Sequence, residues 1–190
     1  MVTALDPSSQ ASAASIAQPF PLSADARALL GESGGNLRRF LEDLLARGLP
    51  ADALVVMARI LPKRYVIAWA CECLNTAFAR DPATADVDRA GLALAQQWLS
   101  DPTEERRRAA LEFAEGGRFE TPGAWIAASA GWSGGSLAPR GYDPIVPPDH
   151  LPAEAAVAAL RLTASRSPEY VASVSGFVAR GLQIFAPSGR

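Results

Sequence analysis

Residues 131–135 read Gly-Trp-Ser-Gly-Gly, the G-x-S-x-G spacing that can set a nucleophilic serine on a tight turn. Asp143, Asp149 and His150 follow Ser133 in the order Ser, Asp, His, and His150 is the chain's single histidine. Together these residue types could perform acyl transfer, with Ser133 attacking and His150 taking its proton. An elbow of this kind needs a strand before the serine and a helix after it, so that the strained turn lifts the hydroxyl over a sheet. Both flanks differ here. "GAWIAASAG" before Ser133 reads as a helix, and "GSLAPRGYDPIVPPDHLP" after it reads as a proline-rich loop. The expectation is a glycine-terminated helix running into a structured loop, with no catalytic residue; a serine hydrolase through Ser133 and His150 is the alternative.

Other reactive residue types have plainer readings. Cys71 and Cys73 lie two apart in "YVIAWACECL", where a helix points them to different faces, so they should neither bridge nor chelate one metal. They are expected to be small buried hydrophobes. No metal or cofactor motif is present: no His pair, Walker loop or dinucleotide fingerprint. The carboxylates at Asp86, Asp88, Glu104 and Glu105 fall at expected helix starts, where the macrodipole accounts for them. "EERRR", residues 104–108, reads as a solvated charged face. Trp69, Trp98 and Trp125 are expected in the core, with Trp132 beside the glycines able to be exposed.

That leaves the loop from Ser133 to Pro152, too long for an ordinary connection inside a compact domain. Leu137, Tyr142, Ile145 and Val146 give it apolar groups to dock onto helices, and its prolines at 139, 144, 147 and 148 favour extended backbone. Such a loop is either a recognition surface or a strap over a core. As a recognition surface it would bind another protein through Trp132, Leu137, Arg140, Tyr142, Ile145 and Val146.

The elements that must position this loop are helical. "NLRRFLEDLLARG" places Leu37, Phe40, Leu41, Leu44 and Leu45 on one face, with Gly48 as the stop. Tyr65 to Phe78 is apolar almost all round, as a central helix would be, with Glu72 the exception that must be exposed or paired. Asp81-Pro82, Asp101-Pro102, Thr121-Pro122 and Ser167-Pro168 each resemble a cap followed by proline at the first helical position. Further stripes are expected at Val87, Gly91, Leu94, Ala95 and Trp98; at Arg106, Ala109, Ala110, Phe113 and Ala114; and at Tyr170, Val171, Val174, Phe177, Val178, Gly181 and Leu182. Alternating β-branched runs are lacking. The fold class is therefore all-α: an irregular stack of about eight or nine antiparallel helices, with a HEAT- or armadillo-like solenoid as a variant because Pro82, Pro102 and Pro122 are evenly spaced.

At 190 residues and 49% apolar composition, the chain can bury one sizeable core. Residues 1–21, small and polar, are expected to form a flexible arm before a single helical domain over 22–190. A net charge of −2 with both signs interspersed offers no basic stripe for nucleic acid. No apolar run approaches membrane-spanning length, so a cytoplasmic protein is expected.

The segments "LPKRYVIAWACECL", "DPTEERRRAA", "ETPGAWIAASAGWSGGSLAP" and "PPDHL" together resemble an uncharacterised all-helical proteobacterial family whose members occur near type VI secretion loci. The tryptophan that ends one helix before "EERRRAA" also is similar to small helical immunity proteins. Neither resemblance implies a catalytic residue. Both imply a protein that binds another protein: an adaptor or accessory protein for a secretion component or effector, or alternatively an immunity protein that neutralises a toxin.

Overall fold

The computed structural model describes residues 22–33 and 35–185, so the arm expected over 1–21 lies outside the described residues. The described residues form nine α-helices and no strand: α1 (Ala24–Glu32), α2 (Leu37–Ala46), α3 (Pro50–Ile60), α4 (Lys63–Arg80), α5 (Asp86–Ser100), α6 (Glu104–Gly116), α7 (Pro122–Gly131), α8 (Leu151–Ser165) and α9 (Tyr170–Leu182), with a 3₁₀ turn at Gln183–Phe185. The chain is all-α, as the periodicities require. None of these helices is long and apolar enough to cross a membrane.

The helices group into two compact units. One takes the described residues of Met1–Ile60 and Glu169–Arg190, hence α1, α2, α3 and α9. Within it, α2 follows its sequence closely: Asn36 caps the start through Arg39 N–H at 3.0 Å, and Phe40, Leu41 and Leu44 form the buried stripe. Gly48 ends the segment at φ +71°, a conformation costly for residues with a Cβ. Val174 and Val178 of α9 are buried here, while Val171 stays exposed.

The second unit, Leu61–Pro168, holds α4 to α8 and the long loop. Helix α4 is enclosed along most of its length, with Trp69 only 1% exposed, and Glu72 falls on its exposed strip. The centre of the unit, however, is α7. Every residue of Pro122–Gly131 except Trp125 is buried, and α5, α6 and α8 all pack on it. Its small side chains (four alanines, two glycines and Ser129) let neighbouring backbones come close, a role that bulk hydrophobicity does not signal. At the crossing of α5 and α7, Gly91 faces Gly123 backbone to backbone.

Three of the four expected proline starts are displaced. Thr121-Pro122 does cap α7, with Thr121 Oγ1 accepting from Ala124 N–H at 3.1 Å. Elsewhere α5 begins at Asp86, α6 at Glu104 behind Thr103, and α9 at Tyr170. The X-Pro pairs instead make the turns that lead in: Asp81 Oδ1 accepts from Ala83 N–H at 2.9 Å and its carbonyl from Thr84 N–H at 3.1 Å. The stripe of α5 is likewise rotated. Asp88 points inward and Val87 is 41% exposed.

That inward carboxylate is fully buried and doubly held. Asp88 Oδ1 accepts from Gly123 N–H at 2.8 Å, capping α7 from another helix, and Oδ2 pairs with Arg166 Nη1 at 2.6 Å. Two groups remote in sequence thus satisfy one buried charge, the condition under which such a charge is tolerated.

Cys71 and Cys73 are free and buried on α4. Burial, with the adjacent Cys73 adding to it, pushes the Cys71 thiol up to about 12. With both side chains buried and the Cys71 thiolate disfavoured, neither cysteine should react with Ellman's reagent in the native protein, and both should after unfolding. Fast labelling of either thiol in the native state would mean that α4 opens readily.

Candidate functional site

The loop after α7 is built from the end of that helix outward. Trp132 closes α7, its N–H donating to Ala128 O at 2.8 Å, and Ser133 N–H follows onto Ala130 O at 3.2 Å. Ser133 therefore continues a helix end and is not raised on a strand-to-helix elbow. No hydrogen bond of the described residues joins Ser133, Asp143 or Asp149 to His150. Asp149 instead pairs with Lys63 Nζ at 2.6 Å, a contact that holds its carboxyl below the ordinary carboxylate range. His150 lies 3.9 Å from Glu154 Oε1, at the start of α8. Among the described residues no three His, Cys, Asp or Glu side chains gather as a metal site would need.

What fixes the loop is an arginine clasp on α6. Arg107 is only 3% exposed, and its guanidinium grips Glu104 through both carboxylate oxygens at 2.7 Å. Its remaining donors reach the carbonyl oxygens of Gly131 and, at 3.0 Å, Ser136. Arg108 adds the carbonyl of Ala138 at 3.1 Å and a second contact with Glu104 at 2.8 Å. The planar fork suits this task because it serves several acceptors in fixed directions. Hydrogen bonding to Arg107 in turn lowers the Glu104 pKa. Gly135 lies over the guanidinium at φ +63°, where a Cβ would come within 2.7 Å of Arg107 Nε. The expectation of a solvated "EERRR" face is thus corrected: Arg107 falls on the buried stripe with Ala110, Leu111 and Ala114, at i, i+3, i+4 and i+7.

Above the clasp the loop ties to itself. Leu137 N–H donates to Ile145 O at 2.8 Å, and Ser136 Oγ accepts from both Ala138 N–H and Ile145 N–H at 3.0 Å. Ala138 and Pro147 are buried and Leu137 is half-buried. The tip is not. Tyr142, Ile145 and Val146 are 74%, 59% and 75% exposed, and Arg140 is exposed beside them. These apolar side chains were expected to dock onto helices; the Ser136–Ile145 ties turn them outward instead.

Trp132, the last of the expected binding residues, is half-buried at the other edge of the loop. It joins Phe119 and Trp125 in one cluster, with ring centroids 5.4–6.2 Å apart. The turn between α6 and α7 carries Arg118 and Phe119 at φ +51° and +57°, two consecutive side-chain-bearing residues in the left-handed region. That conformation costs about 1–2 kcal/mol per residue. Packing of Phe119 against both tryptophans offsets part of it, at about 0.5–1.5 kcal/mol per aromatic pair.

Residues 40–185 match a family of unknown function, DUF6931, a span that takes in every helix of the second unit and the whole loop. The chain belongs to the DUF6931 family. No curated protein and no solved structure matches it. Within this DUF6931 chain, the clasp and the aromatic cluster are the features that sequence reading missed. A helical-wheel comparison that put Arg107 rather than Arg106 on the apolar face would have exposed the first.

Proposed function

We propose that this DUF6931 protein is a non-enzymatic, cytoplasmic protein-binding adaptor whose loop, residues 133–150, holds the partner. The observation that carries the reading is the division of the loop into a stem clasped by a buried arginine and a tip that presents Tyr142, Ile145 and Val146 to solvent. A large apolar tip on a fixed stem loses little entropy when it is covered, and tyrosine is among the side chains that dominate interface energies. The resemblance to proteins encoded near type VI secretion loci supports a secretion component or effector as the protein served.

Capture from the source organism with tagged wild-type and Tyr142→Ala/Ile145→Ala chains tests this. A specifically enriched protein should fall about thirtyfold in affinity for the double variant, roughly 2 kcal/mol, while far-UV circular dichroism is unchanged. Equal affinity for both chains would reject the loop as the binding element.

A further inference from the structure

The exposed tip runs from Pro139 to Val146, between buried Ala138 and buried Pro147. Its second half, Asp143-Pro144-Ile145-Val146, continues to Pro148 without a turn or bend. Pro144, Pro147 and Pro148 fix their own φ, and each biases the residue before it to extended backbone. A partner that covers this stretch meets apolar side chains and a backbone whose donors and acceptors are out of balance.

The donors are nearly all gone. The three prolines carry no N–H, and Ile145 N–H is already given to Ser136 Oγ at 3.0 Å. From Pro144 to Pro148 that leaves the N–H of Val146, a residue 75% exposed, which donates to none of the described residues. Acceptors remain. Among the described residues no donor reaches the carbonyl oxygens of Asp143, Pro144 or Val146, whereas Ile145 O takes Leu137 N–H at 2.8 Å and Pro148 O takes Leu151 N–H at 3.2 Å. Adding a strand to a sheet needs N–H and C=O groups from alternate residues along one edge, and the edge of residues 144, 146 and 148 has a single N–H. The backbone of Ile145 is spent on the chain's own stem.

We propose that the partner takes residues 143–146 into a groove lined by tryptophan and tyrosine side chains and does not add them to a sheet. This rests on the reading of the loop as the recognition element, and it names the chemistry of the surface that receives it. Such side chains join an apolar face, against which Pro144, Ile145 and Val146 pack, to an indole N–H or phenol O–H that donates to the open carbonyls. An extended proline-bearing segment suits that groove, because its backbone is ordered before it docks.

Two substitutions at one residue test this by the sign of their difference. The protein enriched by the wild-type chain and lost with Tyr142→Ala/Ile145→Ala is titrated with full-length Val146→Pro and Val146→Ala. Proline removes the last N–H but keeps apolar surface and order, whereas alanine keeps the N–H and loses both. Groove docking has Val146→Pro bind more tightly than Val146→Ala, by about threefold. Strand addition reverses the order, by about tenfold or more. Exchange protection of the Leu137 and Ile145 amides shows whether the stem survives the proline. If it does not, replacing Val146 by its 2-hydroxy acid makes an ester that lacks the N–H alone, and the same ranking against Val146→Ala applies. A diazirine side chain at position 145 should also cross-link to a partner segment that contains Trp or Tyr. The reverse ranking, or a link to a segment with neither residue, overturns the groove while the recognition loop stands. Binding that Tyr142→Ala/Ile145→Ala leaves intact removes both, and so does a chain that enriches no protein.

Discussion

Gly91→Ala should cost about 3 kcal/mol or more, above the usual range for a single added methyl group. The reason is what the methyl would meet. A Cβ on Gly91 runs into the carbonyl of Gly123, and a Cβ on Gly123 would lie 2.5 Å from Asp88 Cα and 2.7 Å from its carbonyl oxygen. Both obstacles are helix backbone, which cannot rotate aside as a side chain does. Helices α5 and α7 must separate, and the Gly123 N–H to Asp88 bond lengthens with them, leaving a buried carboxylate less well satisfied. Helices α6 and α8 also pack on α7, so the displacement has nowhere to relax. All four tryptophans lie between residues 61 and 168, and their fluorescence therefore reports on this unit in a urea melt. The same chemical change at Gly176, on α9 with nothing near its Cβ, should raise stability by about 0.5–1 kcal/mol, as glycine-to-alanine changes in open helix positions do. Similar small effects at both positions would mean that the α5–α7 crossing is looser than described.

The contrast between those glycines shows which parts of the fold were legible. Helix α2 could be read from its stripe and its cap because both are local: Asn36 bonds three residues ahead, and Phe40, Leu41 and Leu44 recur at helical spacing. Helix α4 could be read because its apolar residues run all round it. Helix α7 is central for the opposite reason, since its value lies in what its residues lack. Alanine, glycine and serine carry no strong hydrophobic signal, and only the approach of α5 shows that Gly123 must be small.

Charged residues were misread for a related reason. From its neighbours in sequence Asp88 reads as a helix-start carboxylate and Arg107 as part of a solvated face, yet their partners lie far along the chain. Asp88 is held from 35 and 78 residues away, and Arg107 reaches carbonyls 24 and 29 residues on. Whether a charge is buried depends on whether the fold delivers partners to it, and periodicity within one helix carries no record of that. The serine motif, by contrast, was judged on local context. A helix before Ser133 and a proline-rich loop after it are visible in the sequence, and the structure has both.

Removing the clasp with Arg107→Ala should destabilise the second unit by roughly 3–5 kcal/mol and free the loop. Glu104 is half exposed, so water can take over its carboxylate when the arginine goes, and the lost ion pair is the smaller part of the cost. The larger part falls on the carbonyls of Gly131 and Ser136, which lose a charged donor where little solvent reaches, at about 1–3 kcal/mol for each group left unsatisfied. Arg107→Lys should fall between, because an ammonium cannot serve the carboxylate and both carbonyls from one plane. Hydrogen exchange separates the local effect from the global one. The amides of Leu137 and Ile145 are bonded only within the loop stem, so their protection should drop at least tenfold more than that of buried α4 amides. Equal loss at both places would make Arg107 a core residue whose role ends at stability. Selective loss, combined with weaker partner capture although Tyr142, Ile145 and Val146 are untouched, would show that recognition depends on the stem being held still: a tip that must first be ordered spends part of its contact energy on that ordering.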